Sequence, residues 1–112
     1  MTLRQKQSTF VALVAQLILE ANKRGYELTF GEAYRTPEQA ALNAKKGTGI
    51  KNSLHTSRLA IDLNLFKEGK FLANTSDHEG LGLYWESLHP LTRWGGRFGD
   101  GNHYSIEHEG RK

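Results

Sequence analysis

Along the N-terminal segment, apolar residues return at three- and four-residue steps. Phe10, Leu13, Val14, Leu17, Ile18 and Ala21 follow this spacing, so a helix over 3–24 gathers them on one face. Lys23 and Arg24 fall in its last turn, where cations suit the negative end of the helix dipole, and Gly25 supplies the stop. Tyr26 to Phe30 then alternates as a strand does and leads into Gly31-Glu32-Ala33-Tyr34-Arg35. Thr36-Pro37-Glu38-Gln39 has the form of a helix start, with Thr36 as cap, Pro37 at the first helical position and Gln39 completing a capping box. That short helix runs to Lys45 and ends in the loop Gly47-Thr48-Gly49.

The strongest strand pattern is Leu59 to Phe66. Leu59, Ile61, Leu63 and Leu65 share one face, while Ala60, Asp62 and Asn64 share the other. Glu68-Gly69-Lys70 reads as a turn into a second short strand around Phe71, and Gly82 to Leu88 as a short helix stopped by His89-Pro90. The glycine-rich stretch Trp94 to Gly101 reads as an irregular loop. His103 to Glu107 alternates as a closing strand, with His103, Ser105 and Glu107 on one face and Tyr104 and Ile106 on the other. These elements predict an α+β fold, a small antiparallel sheet with flanking helices, in one domain over 1–112.

Composition narrows the chemistry. A chain of 112 residues buries roughly 65% of its unfolded surface on folding. No apolar run reaches the ~20 residues of a membrane span, and the N-terminus lacks a basic, then apolar, then small-residue signal pattern. These features lead us to expect a chain made in the cytoplasm without stable membrane insertion; a monomer is also expected. The net charge of +3 and pI near 9.3 favour anionic partners. The basic residues are nevertheless scattered and no nucleic-acid-binding motif is present, so nucleic acid is not the expected partner. With no cysteine, any metal must be held by histidine and carboxylate.

Two short segments offer such a set. In Ser53-Leu54-His55 and on to Asp62, a histidine precedes a carboxylate by seven positions; in Asp100-Gly101-Asn102-His103, a carboxylate precedes a histidine by three. A catalytic zinc centre needs three protein ligands, an open position and a nearby base. His55 lies just before a strand, Asp62 on its polar face and His103 at the start of another strand. Neighbouring strands would bring the three together, with Asp100 one short turn away as a general base. Spacing by itself leaves open both a metal site and separate surface or hydrogen-bonding roles. The remaining histidines read as solvated (His78) or as structural or exposed (His89, His108), with His108 in reserve as a ligand. Trp85 and Trp94 read as core or pocket wall, Trp94 being the better pocket candidate because it lies near Asp100.

The same segments resemble the signature of the bacterial D-alanyl-D-alanine peptidase family of zinc enzymes. That family includes VanX- and VanY-like peptidases and phage endolysins that cleave the L-alanyl-D-glutamate bond. Its pattern, Ser-x-His, six residues, Asp, then Asp or Glu-x-x-His, is met by Ser53, His55, Asp62, Asp100 and His103. Arg35-Thr36-Pro37-Glu38-Gln39 matches its upstream arginine context, and Trp94-Gly95-Gly96 its tryptophan-glycine pair. From Tyr26 onwards the correspondences follow the family's order.

The resemblance implies a Hedgehog/DD-peptidase-like fold and one Zn2+ per chain on His55, Asp62 and His103. It implies Asp100 as catalytic base, Arg35 steadying the substrate carbonyl or carboxylate, and Ser53 orienting a ligand or touching substrate. The implied substrate is the peptidoglycan stem peptide, cut as an L-alanyl-D-glutamate endopeptidase or D-alanyl-D-alanine carboxypeptidase. The implied setting is a phage or prophage endolysin that reaches the wall through a separate pore. A cytoplasmic D-Ala-D-Ala dipeptidase and a non-catalytic zinc-holding domain of the same fold, as in Hedgehog signalling proteins, are the alternatives. The chain departs from the family at Arg58, where glycine is common, and at Tyr104-Ser105, which leaves the hydrogen bond to His103 to another residue such as Glu107. Glu32 is a further residue that could support the ligands.

Overall fold

The computed structural model describes residues 1–47, 49 and 52–112. Thr48 of the expected Gly47-Thr48-Gly49 loop lies outside the described residues. The elements are α1 (Leu3–Lys23), β1 (Glu27–Phe30), α2 (Pro37–Lys46), β2 (Ala60–Lys67), β3 (Lys70–Leu72), α3 (Glu79–Ser87), β4 (Thr92–Trp94) and β5 (His103–Ile106). Single 3₁₀ turns occupy Leu54–Ser57, Thr75–His78 and Gly95–Phe98. The fold is α+β, with three helices and one small, open antiparallel sheet. No helix is long and apolar enough to cross a membrane among the described residues.

α1 follows the apolar stripe. Phe10, Leu13, Val14, Leu17 and Ala21 are buried along it, each large side chain contributing about 1.5–3 kcal/mol by leaving water. Its start is a capping box that sequence reading passes over: Gln5 N donates to Thr2 Oγ1 at 3.2 Å, and Thr2 N to Gln5 Oε1 at 2.8 Å. α2 is capped only by half of the expected device. Thr36 Oγ1 accepts from Gln39 N at 3.0 Å, while the Gln39 amide turns to Asn43 at 2.6 Å.

β2 is the spine of the sheet, whose order is β1-β2-β5-β4, with β3 pairing the far end of β2. Ile61, Leu63 and Leu65 are buried in the core beside α1 residues, Trp85 and Ile106. The alternate face carries Asp62 and Asn64 as expected, but Ala60 at its start is buried too. β5 pairs with β2 so that Asp62 stands directly opposite His103.

The stretch expected as an irregular loop is ordered. Thr92–Trp94 pairs with β5, and Gly95–Phe98 coils into a 3₁₀ turn. The cause is steric: a Cβ on Gly95 would lie 2.2 Å from Asp100 O and 2.6 Å from His103 Cβ, so only glycine lets the 95–103 segment close this tightly. α3 begins three residues before the expected Gly82, because the Thr75–His78 turn feeds straight into it.

Candidate metal centre

Each side chain at the centre is delivered by a different local device. Ser53 caps the 3₁₀ turn at 54–57, its hydroxyl accepting from His55 N at 3.1 Å, and so sets the turn that carries His55. The turn ends at Arg58 in the left-handed conformation, φ 57°, a backbone region that favours glycine. The Arg58 guanidinium stacks 4.0 Å above the Tyr34 ring, an attraction worth about 0.5–1 kcal/mol at an exposed site. Beyond β1 the chain stays alongside β2, with Gly31 N bonded to Asp62 O and Asp62 N to Glu32 O, both at 2.8 Å. That run brings Glu32, Ala33 and Arg35 beside His55. On the other side, Asp100 N donates to Gly95 O at 2.9 Å and His103 N to Asp100 O at 3.1 Å, fixing Asp100 one turn before β5.

The result is a group of three potential ligands, His55, Asp62 and His103, whose donor atoms lie within 4.8 Å of one another. The imidazoles are 2% and 7% exposed, withdrawn from solvent on all but one side. His55 Nε2 lies 3.3 Å and His103 Nδ1 3.4 Å from Asp62 Oδ1. Ligands about 2.0–2.1 Å from a tetrahedral centre are separated by about 3.3–3.4 Å, so these edges have the dimensions of such a site.

Hydrogen bonding argues for a cation independently of these dimensions. His55 Nδ1 lies 3.0 Å from Ala33 O, and a carbonyl can only accept, so the proton sits on Nδ1. In the neutral ring Nε2 then presents a lone pair towards a carboxylate oxygen, a repulsive arrangement unless a proton or metal ion lies between. Asp62 Oδ1 is itself buried without a hydrogen-bond partner. Burial works against a charged His55, and Asp62, the Ala33 carbonyl and Glu32 more than offset it, raising its pKa. Burial likewise opposes ionisation of Asp62, but His103 and His55 outweigh it and hold its carboxyl down at about 2. A permanently ionised carboxylate between two imidazoles could hold a metal ion.

Asp100 is half exposed, its Oδ2 3.9 Å from His103 Nδ1. Burial pushes its pKa up, Asp62 adds to the rise, and His103, His55 and Arg35 pull the other way, leaving it raised. Arg35 lies at the rim, joined to the Glu32 carboxylate through both Nε and Nη2. Glu32 Oε1 also lies 3.8 Å from His55 Nδ1. The centre opens into a cleft of about 440 Å³, bordered further by Asn52, Phe98 and Arg111.

Of the residues singled out in the sequence, His55, Asp62, His103, Asp100, Arg35 and Ser53 come together here. Trp94 does not. It is 5% exposed in the core, where a Cβ on Gly82 or Gly96 would lie 2.1–2.2 Å from its ring, and its Nε1 donates to Gly101 O at 2.8 Å. Trp94 thus props the 95–101 segment from beneath instead of lining the cleft. Glu107 pairs with Arg93 at 3.4 Å and does not serve His103, whose Nε2 is buried and unpaired. His78, expected in solvent, is 3% exposed and bonds through Nδ1 to the Tyr104 hydroxyl at 2.8 Å. His108 Nδ1 meets Lys6 Nζ at 3.1 Å and is outside the ligand group. Sequence reasoning does not reach Arg111 or Phe98. The local signal at Arg111 is the Glu109-Gly110 turn, which says that the chain reverses but not what it reverses against.

Comparison with protein-family models and with curated proteins gives no match.

Proposed function

We propose that this chain is a zinc peptidase of the Hedgehog/DD-peptidase-like fold that hydrolyses a peptide bond in the bacterial peptidoglycan stem peptide. The observation that carries the reading is the three-acceptor group of His55, Asp62 and His103 with a carboxylate of raised pKa beside it in an open cleft. Two imidazoles and one carboxylate with tetrahedral edge lengths suit zinc. Zinc, when bound, supplies Lewis acidity towards a carbonyl and acidifies water.

The chain's own groups do the rest. Asp100 takes a proton from the attacking water and returns it to the leaving amine, a double task suited to a carboxylate whose pKa is raised. Arg35 steadies the oxygen on which negative charge develops, held in place by Glu32 until substrate arrives. The Ala33 carbonyl holds His55 in the tautomer that presents Nε2. The site of action is the cell wall, and the bond cut is L-alanyl-D-glutamate or D-alanyl-D-alanine. Release of free D-alanine identifies the second.

The experiment is metal analysis of the purified chain followed by mass spectrometry of cell-wall digests. One zinc per chain and newly cut stem peptides are expected. Asp100→Ala should keep its zinc and lose roughly 100-fold or more in kcat, the usual worth of a general base. Full activity in that variant would sink the mechanism.

A further inference from the structure

Among the described residues, five arginines form side-chain hydrogen bonds, and four of them are paired with a neighbouring glutamate. Arg24 pairs with Glu20, Arg35 with Glu32, Arg93 with Glu107 and Arg97 with Glu86. Arg111 is the exception, and it borders the metal cleft. Its Nη1 donates to Asn52 O at 3.2 Å and its Nη2 to Ser57 Oγ at 3.1 Å. Both acceptors are uncharged, and among the described residues no carboxylate lies within ion-pair distance of Arg111. A guanidinium has five N–H donors, so this anchoring leaves both charge and donors to spare.

Its position is set by backbone. His108 N bonds to Arg111 O at 3.0 Å and Arg111 N to His108 O at 2.9 Å. Glu109 and Gly110 between them have φ of 51° and 78°, the paired left-handed residues of a tight type I′ reversal. Lys6 on α1 holds the hairpin's first residue through His108 Nδ1. The two acceptors bracket the turn that carries His55, so Arg111 is registered against a ligand-bearing segment.

Charge balance then says what the cleft admits. Asp62 and Asp100 together offset a divalent ion, and Glu32 offsets Arg35. Arg111, also on the rim, has no side-chain carboxylate within ion-pair distance among the described residues. A guanidinium fork matches a carboxylate in shape and charge, and the match gains strength in a partly desolvated cleft.

We propose that Arg111 is a specificity-determining residue that receives a carboxylate of the substrate, so that the preferred substrate is a peptide with a free carboxylate close to the scissile bond. This inference rests on the peptidase reading above, and the test separates the two. Zinc-loaded protein is given stem peptides that differ only in whether the carboxylate flanking the bond is free or amidated. The wild-type chain is expected to favour the free acid in kcat/KM by roughly 10- to 100-fold, the scale of a charge-assisted pair. Arg111→Gln should cut that ratio by about tenfold or more, and Arg111→Lys should recover part of it. Zinc content, measured in parallel, should stay at the wild-type level. An unchanged ratio with both peptides slowed alike would assign Arg111 a merely structural part and overturn the proposal.

If no peptide is cut, the peptidase reading fails while Arg111 is still judged by binding. N-acetylglycine and its carboxamide are titrated into the zinc-loaded protein and followed by NMR. Tighter binding of the acid in wild type than in Arg111→Gln supports the proposal; equal binding in the two proteins overturns it.

Discussion

The chain buries histidines in two polar regions, and their surroundings could hardly differ more. His78 sits against the Tyr104 hydroxyl at 2.8 Å, a partner that can donate or accept, so a neutral pair satisfies itself. His55 and His103 instead face the same carboxylate oxygen at 3.3 and 3.4 Å, and that oxygen has no donor at all. Burial pushes His78 towards its neutral form despite Asp77 nearby, while His55 is drawn towards its charged form. Burial of a histidine therefore says little about chemistry. What its nitrogens face says a great deal: a hydroxyl satisfies the ring locally, whereas acceptors that converge on one oxygen need a proton or could hold a metal ion.

The largest expected effect separates the two regions directly. His55→Ala or His103→Ala should reduce bound zinc from one per chain to near zero, whereas His78→Leu should leave it at one, measured by elemental analysis after dialysis. Equal zinc loss in all three variants would erase the distinction. A smaller effect concerns stability. His78→Leu strands the Tyr104 hydroxyl in the core and should cost about 1–3 kcal/mol in denaturant unfolding at pH 8.

That cost should narrow on acidification. The folded-state pKa of His78 is lowered from its ordinary value near 6.5, so the unfolded chain binds its proton first. The stability associated with neutral His78 is fully present above about pH 6.5 and is lost as pH falls through the lower folded value. The wild-type advantage over His78→Leu should shrink over that window, and an advantage constant down to pH 5 would contradict the assignment.

The smallest effect tests the turn that carries His55. Arg58 occupies left-handed backbone at a cost of about 1 kcal/mol and recovers about 0.5–1 kcal/mol from Tyr34. Arg58→Gly should therefore change stability by less than about 1 kcal/mol, while Arg58→Ala keeps the strain without the stacking and should destabilise by about 1 kcal/mol. Thermal unfolding of the two zinc-free variants checks the order.

Much of this was legible along the chain. The apolar stripe from Phe10 to Ala21 and the alternation from Leu59 to Leu65 are periodic over several turns or pleats, and each buries the face its period exposes. His55, Asp62, Asp100 and His103 were visible as metal-type residues at suggestive spacings. The errors fall where distant backbone decides. His78 looked solvated because its neighbours Asn74 to Asp77 and Glu79 are polar, yet the 75–78 turn packs inward against Tyr104 from another strand. Trp94 looked like a cleft wall because it is close to Asp100 in sequence, but two glycines make room for its ring beneath the loop.

Local periodicity and residue chemistry thus determined the helices, the central strand and the inventory of candidate ligands, because both depend on neighbours a few positions away. Three matters waited for the tertiary structure. Register across β2 and β5 put Asp62 opposite His103. The Ala33 carbonyl chose the tautomer of His55 from outside its own segment. The Glu109-Gly110 reversal carried Arg111 back to Asn52 and Ser57. Each depends on contacts between residues far apart in the chain, and only packing brings those together.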